Sequence, residues 1–150
     1  MTALSASYDA RRKDGALVAC PLGAGAHVFK SALLAVAATG LVQPAGDAPG
    51  LVFAGVAYEE ADNTMGAPGA KTVRVLKTGV FTLAKAGAVQ ADVGKTALVV
   101  DDATVATAPT ADNLACGVVV GIADGAHVQV RIDTKAGWVH RPRDKKGDRP

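Results

Sequence analysis

Aromatic side chains are scarce in this sequence. Phe, Trp and Tyr make up 4% of the 150 residues, although 49% are apolar. The apolar mass is therefore Ala and Val, spaced by 17 glycines. A buried Val or Leu contributes about 1.5–3 kcal/mol and an Ala much less. The length suits one domain with one real core, but that core is lean, and oligomerisation is its expected remedy. Cysteine is nearly missing too. Cys20 and Cys116 are too few for a disulfide framework, and small buried thiols fit them better than a bridge. The longest apolar run, ALLAVAA, is far too short to span a bilayer. The first fifteen residues lack the basic-then-apolar pattern of a secretory signal. The expectation is a chain with no leader and no membrane contact.

The signatures of chemistry are also missing. Serine occurs at Ser5, Ser7 and Ser31, none in a G-x-S-x-G setting. A Walker loop needs G-x-x-x-x-G-K-[ST]. Gly94–Thr96 supplies G-K-T, but Val89 stands where the first glycine belongs, and in the run 66–72 Ala70 separates Gly69 from Lys71. His27, His127 and His140 form no i, i+4 pair and have no cysteine at ligand spacing. Glu59, Glu60 and Asp62 are close in sequence, but neighbours on a strand face opposite ways, and DNTMG lacks the alternating ligands of a calcium loop. The expectation is no enzyme, no metal and no cofactor.

Charge is present, and it is segregated. Residues 14–133 carry seven Lys/Arg against eleven acids, a net of −4, while the whole chain is +2. The positive excess lies in Arg11, Arg12 and Lys13 and in the tail RPRDKKGDRP. Such ends are either solvated termini or arms for an acidic partner surface. No basic stripe runs through the body, which argues against a nucleic-acid partner.

Residues 1–15 read as an extended arm, 16–133 as the folded body and 134–150 as a basic tail. ALVAC (16–20) reads as a strand ended by Pro21, and HVFK as a second. SALLAVAAT (31–39) fits a helix by its alanines and a strand by its length. QPAGDAPG (43–50) is a loop. LVFAGVAYEE (51–60) reads as a buried strand, and TVRVLKT (72–78) alternates with Val73 and Val75 on one face. VFTLA follows with Phe81 and Leu83 on one side, and then ADVG as one helical turn. TALVV, TVATA, ACGVVVGIA and HVQVRID are further strands, separated by the turn signals DDA, APTADN and DGA. Turns about every ten residues imply an all-β barrel or sandwich. YEEADNTMGAPGAK (58–71) would then join two antiparallel strands, shaped by Gly66, Pro68 and Gly69, with its acids solvated or facing a basic neighbour. GAHV occurs at 25–28 and 125–128, a coincidence in so Gly-, Ala- and Val-rich a chain.

The order GVA, an acidic-and-Asn loop, VRV, GVF, ADVGK, DD-TV, a G-V strand and a closing V-VRI, over residues 53–133, resembles small capsid cement, or head decoration, proteins of tailed bacteriophages and prophages. The resemblance implies a small β-barrel or β-tulip body with an extended N-terminal segment. It implies a homotrimer on the outer surface of the virion head, holding neighbouring subunits of the major capsid protein together. Under that reading the interface candidates are Leu4, Tyr8, Arg11, Arg12 and Lys13 in the arm and Trp138 in the tail. Tyr, Trp and Arg are the types that most often dominate interfaces. Trp138 also suits a simple cap on the barrel end. The competing class is a virion-surface module that attaches to a carbohydrate or host surface. Such a module needs clustered exposed aromatics, whereas Phe53, Tyr58 and Phe81 fall on expected strands.

Overall fold

The computed structural model describes residues 6–7, 15–132 and 134. The strands are β1 (Leu17–Pro21), β2 (His27–Val28), β3 (Leu33–Val36), β4 (Val42–Pro44), β5 (Val52–Ala57), β6 (Ala61–Asp62), β7 (Thr72–Leu76), β8 (Val80–Ala84), β9 (Thr96–Val99), β10 (Val105–Ala106), β11 (Ala115–Asp124) and β12 (His127–Ile132). The helical element among the described residues is one 3-10 turn, Gln90–Asp92. Two five-stranded sheets run β1-β7-β5-β3-β4 and β10-β9-β11-β12-β8, with β2 and β6 forming a two-stranded third. Every ladder is antiparallel.

The protein is thus all-β, as its turn spacing predicts. Of the expected alternatives, a barrel, sandwich or tulip, the closed barrel is not formed. Each large sheet curls until its edges approach at one point, where a single parallel bridge joins Leu22 to Val42 or Ala84 to Thr104. The closing edges β4 and β10 are only three and two residues long, too short to extend either bridge into a ladder.

The first sheet is buried on both faces. Leu33, Ala35, Phe53 and Val56 pack against Val99, Cys116, Val119, Val128 and Val130 of the second sheet. Leu34, Ala54, Ala57, Val73 and Val75 enter a second cluster with Leu22, Val28 and Val42. This resolves the ambiguous SALLAVAAT run. Its centre is a four-residue strand, β3, and it is continuously apolar because consecutive side chains enter different cores. β4 and β6 were not legible as strands. Val42–Pro44 leads into the expected loop, and Ala61–Asp62 lies inside the 58–71 connection.

Serving two cores requires a correction of parity on β5. Leu34 pairs with Gly55 and Ala35 with Phe53, so Ala54 is an extra residue. Gly55 has φ +138°, and a Cβ there would lie 2.3 Å from the Leu76 carbonyl oxygen and 2.7 Å from Val75 Cγ1. Only glycine permits that dihedral and that approach together. Gly55→Ala is expected to destabilise the fold by more than about 2 kcal/mol. Urea unfolding measures it; a loss below about 0.5 kcal/mol would show that the bulge relaxes freely.

Candidate interaction surface

The acidic connection between β5 and β7 folds around one buried residue. Asn63 is 1% exposed. Its Nδ2 donates to the carbonyls of Gly23 (2.9 Å) and Ala67 (3.0 Å). Its backbone N–H donates to Ala26 O, and its carbonyl accepts from Gly25 and Gly66. Asn63 therefore pins the 23–26 loop to the 63–67 turn. Its Oδ1 has no hydrogen-bond donor and lies against Gly66, where an added Cβ would come within 1.8 Å of it. Glycine at 66 is needed here for close approach.

The acids around this hub each have a partner. Glu59 Oε2 accepts from Arg74 Nη2 at 2.7 Å, and Arg74 also lies over the Tyr58 ring at 4.7 Å. These hydrogen bonds from Arg74 hold the Glu59 carboxyl below its ordinary range. Glu60 Oε1 lies 2.9 Å from His27 Nε2, and His27 stacks on Phe29 with ring centroids 4.4 Å apart. Asp62 accepts from the hydroxyl and N–H of Thr64, which lowers its pKa. The connection is a braced turn in which Glu59 and Glu60 meet basic neighbours, one of the two expected arrangements, while Asp62 meets Thr64. Composition did not expose Phe29. It follows β2 and is 56% exposed, and Tyr58, expected on a strand, lies just past β5 and is exposed. The two GAHV copies both start a strand, and each histidine meets a carboxylate: His27 with Glu60, His127 with Asp124 at 2.8 Å.

A second buried polar residue, Asp92, clasps the 3-10 turn. Its carboxylate accepts from Val89 N–H (3.0 Å) and Thr107 Oγ1 (3.0 Å), and Lys85 Nζ lies 3.0 Å away. The Val89 amide first, then Lys85, bring its pKa down to about 2. Both cysteines are free, as expected. Cys116 is buried, and burial pushes its thiol up to about 12. Cys20, also expected to be buried, is only half-buried, because β1 is an edge strand.

The interface candidates Leu4, Tyr8, Arg11, Arg12, Lys13 and Trp138 lie outside the described residues. Where their segments join the body is clear. Lys77 N–H donates to Ala16 O, and Ile132 N–H donates to Gly79 O. The two roots therefore flank the same three residues, 77–79. Beside them Lys77, Thr78, Val118, Arg131 and Ile132 line an open depression of about 360 Å³. Lys77 and Arg131, like Lys30 and Lys71, make no ion pair with another described residue, whereas Arg74, Lys85 and Lys95 do; the Lys77 ammonium donates to Ala54 O. Among the described residues no group of three His, Cys, Asp or Glu is placed to hold a metal, and no helix is long and apolar enough to cross a membrane. No family model, curated protein or solved structure matches the chain.

Two tests follow from the buried polar pair. Asn63→Asp keeps the shape but sets a carboxylate against two carbonyl oxygens. It should lower stability at pH 7 by about 2–4 kcal/mol, partly recovered as the carboxyl is protonated; a pH-independent loss would contradict this role. For Asp92 the folded pKa lies below the unfolded value, so its contribution is full above about pH 4 and drains as pH falls through about 2. Asp92→Asn should lower the melting temperature at pH 7 and flatten the stability profile between those limits. An unchanged slope would show that other carboxylates govern acid unfolding.

Proposed function

We propose that this protein is a capsid decoration (cement) subunit of a tailed bacteriophage or prophage, binding the outer surface of the major capsid protein shell as a homotrimer. The observation that carries the reading is the meeting of the two chain roots beside Lys77 and Arg131. Arg11–Lys13 and the basic tail thereby start from one side of a body that is otherwise net acidic. That arrangement suits a subunit whose ends grip an acidic surface while its body stays outside. The series of motifs that resembles cement proteins also falls on structural elements: GVA on β5, VRV on β7, VF on β8, ADVGK at the 3-10 turn and V-VRI on β12. The lean Ala/Val cores favour burial of further apolar area between subunits, and the reading requires no catalysis or cofactor.

Exposed Phe29 and Tyr58 favour a second reading, a surface module that stacks on a carbohydrate or host ligand. Copy number separates the two. A cement protein is present in many copies per purified head, and a receptor module in few.

An arm that docks must offset roughly 1–2 kcal/mol of backbone ordering per residue, and Tyr8, Arg11 and Arg12 are its strongest anchors. Deleting residues 1–13 should leave a folded body and weaken binding to undecorated heads at least tenfold, about 1.4 kcal/mol. The remaining difference from the full chain should shrink as salt rises. Occupancy of heads by both forms, at low and high salt, is the measurement; equal occupancy would mean that the body alone carries the interface.

A further inference from the structure

We propose that the outer edge of β8, with Val80 and Arg131 beside it, takes an extended acidic segment of a partner protein as an added strand. The inference is independent of the capsid reading and starts from the ladder. Lys85 N–H donates to Ala126 O, and Ile132 N–H donates to Gly79 O. With Val130 opposite Phe81 and Val128 opposite Leu83, the odd-numbered residues of β8 bond to β12 and the even-numbered ones turn away. Ala84 confirms the alternation, because its N–H donates outward to Ala103 O. The N–H and C=O groups of Val80 and Thr82 have no partner among the described residues. Here, then, are two donors and two acceptors at the spacing of an absent strand.

The sequence leaves this edge unprotected. Natural edges are blunted by Lys, Pro or an inward charge, yet residues 79–84 read GVFTLA. By contrast β1, an edge of the first sheet, ends in Pro21. The outer face beside the β8 edge is mixed, with exposed Thr82, Gln129 and Arg131 between Val80 at the edge and two valines on β11, two strands in. Val80 is 56% exposed, Val118 42% and Val120 45%. Arg131 stands opposite Val80 on one side and Val118 on the other, so an exposed guanidinium with no ion pair among the described residues divides the valines. Lys77 borders the same depression. Val80 beside Arg131, with the Lys77 ammonium held by Ala54 O, fits a segment that alternates aliphatic side chains with carboxylates. The same charges disfavour this chain's own Lys- and Arg-rich ends as the occupant.

The test uses the full chain and a short fluorescent peptide of alternating Val and Glu, read by anisotropy. Its comparators are a Val/Lys peptide and a Val/Glu peptide with alternate amides methylated. Saturable binding of the Val/Glu peptide is expected, at least about tenfold weaker for each comparator. Arg131→Glu should lose a similar factor. Thr82→Pro should do so as well, since it removes an outward N–H and spares the β12 ladder. Should Thr82→Pro prove unfolded by its melting curve, the methylated peptide tests the same hydrogen bonds from the other side. Absent saturable binding, equal binding of the Val/Lys or methylated peptide, or a folded Thr82→Pro with unchanged affinity would overturn the proposal. So would sedimentation showing that the edge is already consumed by a second copy.

Discussion

The burial of the first sheet on both faces is the constraint on which the rest of the structure depends. A sheet packed on one side tolerates large residues there and polar ones opposite. β3 and β5 have no solvated side, so neighbouring residues must enter separate cores at close spacing. Ala35, Ala54 and Ala57 are at most 1% exposed, small side chains where two apolar layers are served by one strand. The composition follows from this geometry: many alanines and valines and, among the described residues, one well-buried aromatic, Phe53. Gly55 belongs to the same constraint. Without the extra residue and the close approach to Leu76, Val56 and Ala57 would exchange cores.

A lean double core leaves the connections to be held by polar contacts. Asn63 and Asp92 do this in opposite chemical senses. Asn63 supplies two N–H donors to carbonyls of separate loops, and Asp92 supplies two acceptor oxygens to an amide, a hydroxyl and an ammonium. Each sits where a turn must close without apolar bulk beneath it. A buried polar group is favourable only when its partners are present, so these residues also fix which loops can lie together. The braced 58–71 connection is a product of that selectivity.

How much of this was legible depended on whether the signal was local. Val73 and Val75 alternate with exposed Arg74, and period two fixed their face. Phe81 and Leu83 turn inward for the same reason. The turns DDA and DGA are set by Asp side chains that accept from backbone amides two residues on, Asp101 from Ala103 and Asp124 from Ala126, a property of the residue type. β4 and β6 were hidden because so short a strand exists only through its partner: Val42–Pro44 through β3, Ala61–Asp62 through β2. That the sheets stay open depended on the shortness of the edges β4 and β10, which composition does not encode. Among the acids of 58–71, contact with a basic neighbour could be anticipated. That Asn63, and none of the acids, would be the buried hub could not, since its partners Gly23 and Ala26 lie some forty residues away. The exposure of Phe29 was missed for a related reason: β2 ends one residue before it.

The distribution of charge connects the fold to its use. Within the described body some carboxylates meet cations at short range: Glu59 with Arg74, Asp92 with Lys85 and Lys95. An exposed pair such as Glu59 with Arg74 adds little stability, but it silences the field around it. Arg131 stands without such a partner among the described residues, and it lines the open depression with Lys77. The same region holds exposed valines and the open edge of β8. An acidic partner approaching this side meets steering charge, apolar area and unpaired backbone together. Each alone is weak; together they can order a segment at one register, because the backbone groups fix position while the charges and valines select sequence.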